Sequence, residues 1–110
     1  MAMQDSVDLV AWNKETGQRL LIQVKSAQLS RGDKNRLEFQ LGLGKNKRLP
    51  IRYDFDIIAL VSSEQRAVYF MPVTAIRQKK MNKQPSFFEN SELEADSWLK
   101  SVEDLRYELT

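Results

Sequence analysis

Two short runs of leucine, β-branched and aromatic residues, 6–12 and 19–26, stand on either side of the polar stretch Asn13-Lys14-Glu15-Thr16-Gly17. Runs this brief, joined by a polar turn that ends in glycine, fit a β-hairpin. In the second run Leu20, Ile22 and Val24 fall on one face and Leu21, Gln23 and Lys25 on the other. Asp8, Gln23 and Lys25 interrupt strands that are otherwise apolar. Each therefore either meets water or serves a half-buried polar site.

Register decides whether the three can meet. With Thr16-Gly17 as the central turn residues, Asp8 lies opposite Lys25 and diagonal to Gln23; a register shifted by two sets Asp8 opposite Gln23 instead. Both put all three on one face, whereas a slip of one residue sends Asp8 to the other side. The plainest use of such a grouping is a cross-strand ion pair of Asp8 with Lys25 beside an exposed Gln23, contributing roughly 0.2–1 kcal/mol. The other use is chemical. A carboxylate, an amide oxygen and an ammonium on one patch suit Mg²⁺, which takes few protein oxygens and keeps waters that a phosphate can displace. Cation and lysine together can hydrolyse a phosphodiester.

Further along, residues 27–35 are predicted to form a loop, 37–41 a half-buried strand, 53–61 a central strand and 66–71 a fifth strand closed by Pro72. Asp54 and Asp56 are expected at a solvated strand end. Phe87-Phe88 is read as a staple ahead of a C-terminal helix over 91–108, with Ser91 and Glu94 as its capping box. Trp98, Leu99, Val102, Leu105 and Leu109 fall at helical spacing, a stripe expected to pack on the sheet. The predicted class is α/β (α+β): a mixed sheet of about five strands with a C-terminal amphipathic helix. The expectation is one domain over 1–110, its sheet core within 6–76.

With no cysteine and no histidine, zinc sites of Cys and His, thiol nucleophiles and Ser-His-Asp relays are excluded. The longest apolar run, Ile57-Ile58-Ala59-Leu60-Val61, is far short of the roughly 20 residues of a membrane-spanning helix. The first residues lack a secretory pattern, so a cytoplasmic location is expected. Net charge is +2, but residues 1–88 carry 15 Lys/Arg against 8 Asp/Glu and residues 89–110 carry 2 against 7. The cations cluster, which points to a polyanion such as DNA. Candidate DNA contacts are Arg31, Lys34, Lys45, Lys47, Arg48, Arg52, Lys79 and Lys80.

Val7-Asp8-Leu9-Val10, a hairpin, and Leu21-Ile22-Gln23-Val24-Lys25-Ser26 resemble the PD-(D/E)XK nuclease superfamily, with glutamine in the third acidic position. Together with Tyr53-Asp54-Phe55-Asp56 and Tyr69-Phe70-Met71-Pro72, they look most like its QxK branch, which includes group I intron homing endonucleases; Holliday-junction resolvases are more distant. The resemblance covers roughly residues 6–76. It implies a restriction-endonuclease-like fold and a Mg²⁺-dependent DNA endonuclease that cuts with a metal-activated water. Asp8, Gln23 and Lys25 would be catalytic, with Asp8, the Gln23 amide oxygen and the Val24 carbonyl on the metal. Only seven residues precede Asp8, so the family's first helix is expected to be missing. That lack and the glutamine favour an alternative: a non-catalytic nucleic-acid-binding or protein-interaction module on the same scaffold. The expected partner is duplex or branched DNA, met by a homodimer or higher even oligomer.

Overall fold

Asn13 organises the first turn. Its side-chain oxygen accepts the backbone N–H groups of Glu15 and Thr16 at 2.9 and 3.3 Å, and Gly17, at φ +73°, supplies the left-handed residue that closes the loop. In this computed structural model, which describes residues 8–30 and 33–109 without the side chains of 28–30, 33–35 and 107–109, the loop spans Lys14 to Gly17. The Asn13 N–H donates to the Gln18 carbonyl across it at 2.9 Å. Strands β1 (Leu9–Trp12) and β2 (Arg19–Ser26) consequently pair with Leu9 opposite Ile22 and Trp12 opposite Arg19. Of the two permitted registers, the longer turn selects the one that carries Asp8 toward Gln23.

The other strands are β3 (Gln28–Ser30), β4 (Asp33–Gln40), β5 (Ile57–Ser62), β6 (Ala67–Pro72) and β7 (Lys80–Lys83), followed by helix α1 (Leu93–Leu109). They form a four-stranded sheet in the order β1-β2-β5-β6 and a three-stranded sheet β3-β4-β7. The larger sheet is mixed, since β2 and β5 run parallel and its other pairs are antiparallel. The α+β class thus stands, with the strands divided between two sheets. The predicted loop at 27–35 instead contains β3 and the start of β4. The sequence expectations at residues 6 and 7 of the first strand, and for the side chain of Leu109, fall outside the described residues.

Alternation along the strands gives the central sheet two buried faces. Leu20, Ile22, Ile57 and Ala59 meet Leu105 of α1 on one side. Ile58, Leu60 and Met71 meet Leu37 and Phe39 from the smaller sheet, with Leu41, Phe55 and Phe88, on the other. Phe88 is buried against Phe39, while Phe87 stands edge-on to Tyr69, so this pair is indeed core. The helix departs from its expected stripe: Leu99 is 66% exposed, and Ser97 and Ser101 are buried. These small side chains let α1 approach β6, where Ser97 Oγ accepts the Phe70 N–H at 2.9 Å and donates to the Glu94 carbonyl. Ser91 is not the cap; Asn90 Oδ1 accepts the Glu92 N–H at 3.0 Å, and the helix begins at Leu93. No described helix is long and apolar enough to cross a membrane.

Asp54 and Asp56 are not solvated, as the sequence had suggested. Both are buried beneath the segment that leads into β5. Arg48 grips Asp54 through two bonds of 2.8 and 2.7 Å. Arg52 Nε donates to Asp56 Oδ1 at 2.9 Å, and Asp56 Oδ2 accepts the Leu21 N–H at 2.8 Å. The Asp56 N–H donates in turn to the Leu21 carbonyl, so this aspartate locks β5 beside β2. Asp56→Ala would strand a half-buried N–H at Leu21, and a loss of about 2 kcal/mol is expected in urea unfolding. A loss under about 0.5 kcal/mol would show that the lock does not matter.

The bidentate bond from Arg48 holds the Asp54 carboxyl below its usual range; desolvation opposes this, and the Ile51 N–H adds to it. With a folded pKa below the unfolded 3.8, the contribution is complete above roughly pH 5 and drains as pH falls through the folded value. Asp54→Asn should therefore flatten the acid limb of stability between pH 5 and 3, measured by urea unfolding. An unchanged limb would contradict this assignment.

Candidate functional site

The β1–β2 pairing continues one step beyond Leu9, and there Asp8, Gln23 and Val24 meet. The Asp8 N–H donates to the Ile22 carbonyl at 2.9 Å, fixing the backbone. Its Oδ2 accepts two bonds, from the Val24 N–H at 2.8 Å and from Gln23 Nε2 at 3.0 Å. The same Nε2 lies 3.2 Å from the Val24 carbonyl, to which it also donates. Lys25 follows two residues after Gln23 on the same face and is half-buried. Among the described residues no ion pair joins Asp8 to Lys25, because the register sets Asp8 opposite Gln23.

Gln23 is buried, 6% exposed, and its Oε1 has no hydrogen-bond donor among the described residues. An acceptor left so costs about 1–3 kcal/mol. Asp8 and Val24 draw the nitrogen end of the amide toward themselves because both present oxygens. A cation between them would be met by the oxygen end of the same amide, giving one carboxylate, one carboxamide and one carbonyl. That donor set fits a hard divalent ion completed by water. Among the described residues no three acidic, histidine or cysteine side chains gather at one point, here or elsewhere, and Asp8 is the one carboxylate of this patch.

The proposed DNA contacts are placed less uniformly. Arg31 and the side chain of Lys34 lie outside the described residues. Arg48 and Arg52 have their guanidinium groups engaged by Asp54 and Asp56. Lys80 lies 3.7 Å from Glu38. Lys45, Lys47 and Lys79 are exposed. Lys79 sits beside the Gly42 turn, since its carbonyl accepts the Leu41 and Gly42 N–H groups. That turn cannot take a larger residue: a Cβ on Gly42 would stand 2.8 Å from the Lys47 carbonyl oxygen. The buried carboxylates of Asp54 and Asp56 were missed in the sequence. Arginines four and six residues before them were the available signal.

No family model matches the chain, and no curated protein sequence matches it significantly. A solved bacterial homing endonuclease, I-Ssp6803I, matches in structure with a TM-score of 0.60, covering 100% of this chain and 79% of that one at 18% identity. The chain shares that fold: a four-stranded mixed sheet, a small second sheet and a C-terminal helix.

If Gln23 is retained for chemistry, removing its donorless oxygen should not hurt folding. Gln23→Met also removes the Nε2 bonds to Asp8 and the Val24 carbonyl, so the two effects offset and stability is expected to change by less than about 1 kcal/mol, while Asp8→Ala, which takes the acceptor from the Val24 N–H, costs about 1 kcal/mol. Denaturant unfolding of both variants reads this. A loss of 2 kcal/mol or more in Gln23→Met would make the glutamine a structural residue.

Proposed function

We propose that the chain is a Mg²⁺-dependent DNA endonuclease, with Asp8, Gln23 and the Val24 carbonyl as the metal ligands and Lys25 as the catalytic ammonium. The observation that carries this reading is the meeting of the Asp8 carboxylate, the Gln23 amide and the Val24 carbonyl at one end of the hairpin, where the amide nitrogen bonds both oxygens and the buried Oε1 has no donor among the described residues. The shared fold with a protein described as a homing endonuclease supports it.

A divalent cation bound there supplies Lewis-acid polarisation of a phosphoryl oxygen and a water of lowered pKa. The chain's residues do the rest. Asp8 brings the negative charge that makes the patch selective for a cation, and its bond to the Val24 N–H keeps the carboxylate from swinging away. Gln23, packed in the sheet, keeps its amide beside Asp8 and the Val24 carbonyl, where the amide would turn its oxygen end to a bound cation. Lys25 donates its ammonium protons to phosphate oxygens, offsetting the charge that builds as the leaving oxygen departs. The exposed lysines would track the backbone, making affinity fall steeply with salt. A homodimer or higher even oligomer would match the two-fold symmetry of duplex DNA.

One observation favours a second reading. Asp8 Oδ2 already satisfies the Val24 N–H, so the residue has a structural use without any cation. A DNA-binding or protein-interaction module that kept the scaffold without cleavage would look the same there. Lys25→Ala separates the two. In Mg²⁺ it is expected to reduce plasmid nicking by at least about 100-fold, with gel-shift affinity little changed. Undiminished nicking by the variant would remove Lys25 from the chemistry, and a wild-type protein that binds without nicking would favour the module.

A further inference from the structure

The segment between Arg48 and Asp54 exposes large apolar side chains on a rigid base. Tyr53 is 77% exposed, Ile51 58% and Leu49 39%. Such residues usually fold back against the protein, but this backbone is held. Asp54 Oδ2 accepts the Ile51 N–H at 2.9 Å, the Asp54 N–H donates to the Ile51 carbonyl at 2.8 Å, and both ends are tied down by the Arg48–Asp54 and Arg52–Asp56 pairs. Between them, Phe55 is fully buried. The apolar tips are thus presented outward by design of the backbone.

The surroundings say what they face. Residues 39–53 and 65–88 contain nine Lys/Arg and no Asp or Glu. The two segments are neighbours, because Leu49, Ile51 and Arg52 share a surface cleft with Thr74, Ile76 and Arg77. A second copy docked here about a two-fold axis would bring like charges together. Arg48, Arg52 and Lys80 are paired with Asp54, Asp56 and Glu38, but Lys45, Lys47, Arg77 and Lys79 are exposed, and apolar and aromatic tips among such cations fit DNA, whose bases offer stacking faces and whose phosphates offer charge. The position suits as well. Asp56 is bonded to Leu21, two residues before Gln23, about 7 Å along the strand from the metal-ligand level.

Resting on the DNA-binding reading, we propose that residues 49–53 form a rigid wedge that enters duplex DNA. Ile51 and Tyr53 pack against a partly unstacked base step, while Lys45, Lys47, Arg77 and Lys79 hold the flanking phosphates. Aromatic stacking then contributes to affinity without a cation, and it separates from the catalytic patch.

The test measures fluorescence anisotropy of a mixed-sequence duplex carrying 2-aminopurine, at low salt in EDTA, with the full chain. Tyr53→Ala and Ile51→Ala are each expected to weaken binding about tenfold and to lose the 2-aminopurine rise that wild type produces. Tyr53→Phe, which keeps the ring, and Leu99→Ala, on the helix, should bind like wild type. Circular dichroism checks the fold of each variant. Wild-type affinity in both alanine variants overturns the wedge and leaves the nuclease reading intact. Failure of wild type to bind duplex DNA overturns both. Sedimentation showing that Tyr53→Ala breaks an oligomer would reassign the loop to a subunit contact and overturn the wedge.

Discussion

The candidate site turns on the parity of one hairpin. Alternation along β2, paired with β5, sends Leu20 and Ile22 toward the helix and Leu21, Gln23 and Lys25 the other way, and Leu9 opposite Ile22 brings Asp8 to the Gln23 side. One residue of slip would place Asp8 and Gln23 on opposite faces, at little cost to the core, because β1 is largely exposed. The hydrophobic demand of the helix-facing side therefore fixes Gln23 and Lys25 on the other. The Asn13 turn fixes Asp8, since its side-chain bonds and the left-handed Gly17 specify a four-residue loop.

Once that register is set, polar groups are matched almost everywhere near the site. Asp56 serves the Leu21 N–H, and Asp8 serves the Val24 N–H. The exception is Gln23 Oε1. A buried acceptor without a donor is costly to keep, and the bonds from the other end of the amide to Asp8 and the Val24 carbonyl offset part of that cost. The cost of that unpartnered atom is the physical ground for proposing it as a ligand. The clamped segment at 48–54 shows the same tension on the surface, where apolar side chains are held in water by ion pairs beneath them.

Strands β1, β2, β5 and β6 were legible from apolar runs bounded by turn residues, and the hairpin that carries Asp8, Gln23 and Lys25 was legible with them. The choice between its two odd registers was not, because Asn13 to Gly17 can be read as either a short or a longer turn. β3 and the first half of β4 have the composition of a loop, with Asp33, Lys34, Asn35 and Arg36 in succession. Their strand conformation comes from pairing partners distant in sequence, which local propensity cannot report. The helix stripe was read by hydrophobicity, yet close approach to β6 selected the small serines 97 and 101 and left Leu99 outside. Asp54 and Asp56 look like surface residues until Arg48 and Arg52 fold over them.

The most direct measurement is anomalous scattering from a crystal soaked in Mn²⁺. The expected result is one strong peak at coordination distance from Asp8 Oδ2, the Val24 carbonyl and the Gln23 amide oxygen, with the amide turned so that its oxygen faces the ion. A crystal saturated with Mn²⁺ that shows no peak there, with the Gln23 nitrogen still against Asp8, would contradict the assignment of this patch as a metal centre.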